Sequence, residues 1–146
     1  MKRRLIPAVG LAALLLAATA VAASPRPATI KLAKTGVGPL LTNGSGRTVY
    51  MFTKDGRNKN RCGRVSGCEL TWPPVITNGR PTAGPGVKAS LLSTITISGG
   101  RHQVTYAGHP LYTYVGDFGP RQTDYIGTPQ FGGTWYGVNA TGGKVT

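Results

Sequence analysis

With 17 Lys and Arg against four acidic residues in 146, the chain carries a net charge of +13. That length suits a single domain, and that charge favours anionic partners without setting the fold. Four carboxylates and two imidazoles, with no acidic pair, no nucleophile elbow and no phosphate-cradling glycine spacing, point away from hydrolysis and towards a non-enzymatic module without a cofactor.

Lys2, Arg3 and Arg4 open the chain, Leu5 to Ala20 follow as an uncharged apolar run, and small residues end it at Ala20-Val21-Ala22 or Val21-Ala22-Ala23. This is the three-part pattern of a signal peptide over residues 1–23, removed before Ser24. The competing reading is a retained anchor, against which the run is short and holds Pro7 and Gly10. The expected location is therefore secreted, periplasmic or at the cell envelope. No Cys lies near the cleavage region to accept a lipid.

Residues 24–28 read as a flexible leader. Alternation predicts a strand over 29–34 and another over 39–42. Asn43-Gly44-Ser45-Gly46 is a turn, and 48–53 a strand, so 39–53 reads as a hairpin. Within it Tyr50 and Phe52 share one face, and Val49 and Met51 the other. A basic loop follows, with Lys54, Arg57, Lys59, Arg61 and Arg64, closed by Cys62 and Cys68. Trp72-Pro73-Pro74-Val75-Ile76 reads as an edge strand or extended entry, because proline cannot donate to a ladder. Residues 78–87 read as a Gly/Pro-rich linker and 88–92 as one helical turn. Residues 94–98 and 101–106 form a hairpin about Gly99-Gly100. Ala107 to Pro110 turns the chain into a strand over 111–115, and a last strand spans 134–139.

The chain repeats itself. Tyr50, Phe52 and Asp55 align with Tyr112, Tyr114 and Asp117, and Gly46 with Gly108. After one inserted residue, Trp72 aligns with Trp135 and Val75 with Val138. The repeats run over about 39–79 and 101–142, inside one domain at 29–146. In each copy Tyr and the aromatic two residues later form a large apolar face with a phenol handle. The Asp sits just past the strand end, where its carboxylate can accept backbone N–H bonds and close a turn. The pattern suits a folding element; two related Tyr/Asp binding pockets are the functional alternative.

These residues resemble a family of bacterial secreted or lipoprotein repeats defined by Tyr-x-(Phe/Tyr/Trp)-x-x-Asp. The carriers are Tyr50 to Asp55, Tyr112 to Asp117, Cys68 with Trp72-Pro73-Pro74, Gln103 to Tyr106, Gly108 to Tyr112, and Phe131 to Trp135. The resemblance implies export and a tandem-repeat β domain, and it carries over no catalytic residues. The chain departs from it in lacking a lipid-accepting Cys.

Two cysteines in an exported chain favour a Cys62–Cys68 disulfide, with a redox-active pair or soft-metal site as the alternative. His102 and His109 lie apart from them in sequence and make no metal set with them. The five cations of the 54–64 loop are a candidate site for an anionic envelope polymer or surface. They lack the interleaved aromatics of a nucleic-acid stacking platform. The expected fold is a small all-β, antiparallel domain of two pseudo-symmetric repeats with short hairpins. The expected role is an exported binding or structural module; the alternative is a redox or metal-handling envelope protein using the Cys62/Cys68 loop.

Overall fold

The computed structural model describes residues 26–146, so the expected signal peptide and the first two residues of the leader lie outside the described residues. Among these residues the chain is all-β, with ten short strands where about six to eight were expected. β1 (Thr29–Thr35) and β2 (Gly38–Asn43) form a hairpin, and β4 (Thr82–Ala83) adds to β1 in parallel. β3 (Tyr50–Phe52) pairs with β9 (Gly133–Val138), which also takes β8 (Thr128–Gln130) and β10 (Lys144–Val145). β5 (Leu92–Ile97), β6 (Arg101–Tyr106) and β7 (His109–Pro110) make the third sheet. One short helix, α1 (Cys68–Thr71), had no signal in the hydrophobic pattern because a single turn is too brief to show a period.

Four sequence expectations are corrected. The segment over 39–53 is not mainly a hairpin: β2 pairs with β1 along its length, and the return strand after the Asn43–Gly46 turn is reduced to a Thr42–Thr48 bridge, made by the Asn43 N–H to Arg47 O and Val49 N–H to Leu41 O bonds. The 78–87 stretch is not a free linker, because Gly84 N–H bonds Ile30 O and Leu32 N–H bonds Pro85 O, fastening it to β1. The strand over 111–115 is reduced to single bridges at Tyr112. The β5–β6 turn also takes three residues, Ser98 to Gly100, since Ile97 faces Arg101.

The period-2 alternation of the motif strand divides two cores. Val49 and Met51 face a cluster with Ile30, Leu41, Val75, Val104, Tyr106, Leu111 and Val138. Tyr50 and Phe52 face the other way, into a cluster with Trp72, Tyr112, Trp135 and the two cysteines. The second cluster lies where the repeats meet. There Tyr50 and Tyr112 exchange both backbone bonds, N–H to O at 2.8 and 3.0 Å.

Candidate functional site

At this junction each motif is completed by the other repeat. Tyr50 donates its hydroxyl to Asp117 Oδ2 at 2.9 Å, and Tyr112 donates to Asp55 Oδ2 at 2.7 Å. The backbone does the same: β3 pairs with the β9 strand that carries Trp135, while Tyr112 bridges Pro74, two residues past Trp72. The turns also cross, with Arg121 N–H on Gly46 O at 2.9 Å and Asn58 N–H on Gly108 O at 2.7 Å. Gly46 and Gly108 hold φ of +87° and +83°, a region that favours glycine.

The rings stack in a column. Phe52 lies on Trp135 (4.1 Å between centroids, 8° between planes), Trp135 on Trp72 (4.1 Å, 1°), Trp72 on Tyr114 (4.4 Å) and Tyr114 on Tyr125 (3.9 Å). Tyr50 and Tyr112 meet Trp72 and Trp135 edge-on at 5.2 and 5.1 Å. Such offset and edge contacts add to the area term that already favours burying these rings. Tyr50, Phe52, Tyr112, Trp72 and Trp135 are buried; Tyr114 is half-buried at the outer end of the column.

The two carboxylates differ. Asp55 Oδ1 accepts the Arg61 N–H at 2.7 Å, so it closes the basic loop as expected as well as holding Tyr112. Asp117 holds Tyr50 but takes no backbone N–H, and its Oδ1 has no partner although the residue is 1% exposed. Its expected turn-closing role is therefore corrected to a latch between repeats. Burial pushes Asp55 up to about 6, against the opposing hydrogen bonds from the Arg61 N–H and the Tyr112 hydroxyl. Burial also raises Asp117, opposed by the Tyr50 hydroxyl and Arg47. Both motif phenols are raised far above their ordinary value, first by burial and then by the neighbouring carboxylate. Arg47, which carried no signal in the sequence, donates Nη2 to the carbonyls of Tyr114 and Asp117. Gln130, likewise silent, accepts the Trp72 Nε1–H at 2.8 Å.

Cys62 and Cys68 are joined in a disulfide and both are fully buried. The five loop cations do not form one cluster. Lys59, Arg61 and Arg64 line a cleft of about 490 Å³ between the loop and Ile95 to Ser98 of β5 and its turn, with Asn58, Asn60 and Glu69. Glu69 is paired with Arg101 at 2.9 Å, which offsets its charge. Arg57 instead reaches the second repeat and donates to Ala107 O at 3.3 Å, and Lys54 reaches over Gly132. Asn60 fixes the floor by donating to both Glu69 Oε1 and Gln103 Oε1 at 3.0 and 2.9 Å.

The model of a family described as a secreted repeat of unknown function matches residues 31–76 and 93–139. The chain belongs to that secreted-repeat family. Its two matched segments each begin inside a hairpin strand, β1 or β5, ahead of residues 39 and 101. No curated protein and no solved structure matches the chain. Among the described residues no helix is long and apolar enough to cross a membrane.

Proposed function

We propose that this secreted repeat is a non-enzymatic binding module of the cell envelope or extracellular space, and that it holds an anionic polymer in the cleft beside the disulfide loop. The observation that supports the reading is the cleft's make-up. Three cations line it, and its one carboxylate is already engaged by Arg101. The exposed Asn58 amide supplies a neutral hydrogen-bonding position beside the charges. A concave basic site of this kind focuses field on phosphate or carboxylate groups. The latches and the disulfide serve it by fixing the loop: Asp55 anchors Arg61, and Cys62–Cys68 closes the segment that carries Arg64.

Retention on immobilised inorganic polyphosphate tests this reading. The wild-type chain should elute only at raised salt. The triple variant K59E/R61E/R64E should elute early with an unchanged CD spectrum, while Arg57→Gln, directed away from the cleft, should elute with the wild type. Equal elution of the triple variant and the wild type would reject the site. The competing redox role requires attack on a disulfide sulfur, and both cysteines are fully buried, so that reading draws no support from the geometry.

A further inference from the structure

The protein has six tyrosines, and they are not chemically equivalent. Tyr50, Tyr106 and Tyr112 are fully buried, each with its hydroxyl donated, to Asp117, Ala140 O and Asp55 respectively. Tyr136 is half-buried, and its ring lies 4.8 Å from the Lys144 ammonium. Tyr114 and Tyr125 remain. They are half-buried, their ring centroids are 3.9 Å apart at a tilt of 43°, and they form the one tyrosine–tyrosine ring contact among the described residues. Burial raises the Tyr114 phenol, and the neighbouring Tyr125 raises it further. With centroids 3.9 Å apart, the two phenol rings are in direct contact, with no other side chain between them. Behind Tyr114 the stacked Trp72 and Trp135 extend the same column inward.

We propose that Tyr114 and Tyr125 are an oxidative cross-linking site, where a peroxidase-type one-electron oxidant forms an intrachain dityrosine. Each phenol gives one electron to the oxidant and one proton to solvent. The two phenoxyl radicals couple through their ortho carbons, forming one C–C bond, and the two ring hydrogens move to the oxygens as the phenols re-form. One hydrogen peroxide takes up the two electrons and two protons and leaves as two waters. The product ties the ends of the 114–125 loop, which carries the latch residue Asp117, the exposed Phe118 and the exposed Arg121. A protease cut after Arg121 would then open the loop without separating its ends. Secretion, which the family description supplies, puts the chain outside the reducing cytoplasm where such oxidants act.

The test treats the disulfide-intact chain with hydrogen peroxide and a haem peroxidase. The expected product is a monomer lighter by two hydrogens, with dityrosine fluorescence, whose tryptic digest joins the peptides on either side of Arg121. Tyr125→Phe and Tyr114→Phe should each lose this product, while Tyr136→Phe should keep it. If either of the first two variants fails to fold, fragmentation of the joined wild-type peptides, 102–121 and 122–144, still decides by locating the bond among their tyrosines. Three results overturn the proposal: dityrosine found only between chains, an intrachain product that joins other tyrosines or survives in Tyr125→Phe, and no coupled product while the tyrosines are otherwise oxidised.

Discussion

Tyr50 and Tyr112 make the same bond to unequal partners, and the difference is measurable. Tyr112→Phe removes one of the bonds on Asp55, which still has the Arg61 N–H. Tyr50→Phe removes the hydroxyl held by Asp117, a carboxylate that is 1% exposed and whose other oxygen is unpartnered. Stranding a buried acceptor costs its full desolvation penalty, about 1–3 kcal/mol and more if charged. Urea unfolding should therefore rank Tyr50→Phe as the more destabilising of the two. A ranking in the opposite order would mean that Asp117 is satisfied by a group other than Tyr50.

The carboxylates also predict a pH dependence. Asp55 is pushed up to about 6 from 3.8, so the folded protein binds its proton more tightly than the unfolded chain does. Stability should then rise as pH falls from 7 through 6 and level off near the unfolded value, by at most about 3 kcal/mol. Asp117 acts in the same direction. His109 acts in the other: burial and Arg57 lower it, so its contribution falls as pH drops through 6.5. Comparing urea midpoints of wild type and Asp55→Asn across this range isolates the carboxylate. The variant should show the smaller rise on acidification, and parallel curves would contradict the assignment.

At the scale of elements, the disulfide and the crossed turns hold short pieces that could not stand alone. β3 has three residues and α1 four, below what propensity or a hairpin can support in isolation. Cys62–Cys68 closes a loop of sequence separation 6, and on the chain-entropy model removing it should cost about 2 kcal/mol. A C62A/C68A variant should lose that much in urea and also bind polyphosphate more weakly, because Arg61 and Arg64 lose their fixed positions. Unchanged retention would separate the disulfide from the cleft. Gly46 tests the crossing of the turns: a Cβ there would lie 3.2 Å from Pro120 Cβ at φ +87°, so Gly46→Ala should destabilise by about 1 kcal/mol or more.

At the scale of the molecule, the repeats interlock rather than sit side by side. Each Tyr is bonded to the other copy's Asp, and Phe52 and Tyr114 each stack on the other copy's Trp. A single repeat would expose its rings and leave its Asp without a phenol. Segments 26–89 and 90–146, prepared separately, should each lack fixed near-UV CD and recover it on mixing. A native-like spectrum from either segment alone would show that the repeats are independent.

Much of this was legible in the chain itself. The alternation around Tyr50 stated which residues share a face, because a strand has a period of two in any context. The matched Trp72 and Trp135 announced the repeat, and the paired cysteines announced a bridge across their own loop. Tertiary structure alone decided the partners. Local reasoning gave each Asp to its own turn, since it sees only neighbours in sequence. The bonds from Tyr50 to Asp117 and from Tyr112 to Asp55 exist because the two copies pack against each other reciprocally. The same holds for the cations: five adjacent positions read as one patch, but the loop's bends send Arg57 and Lys54 to the other repeat and leave Lys59, Arg61 and Arg64 on the cleft. Pattern along a chain fixes what each residue offers, and only the packing of distant segments determines which group accepts it.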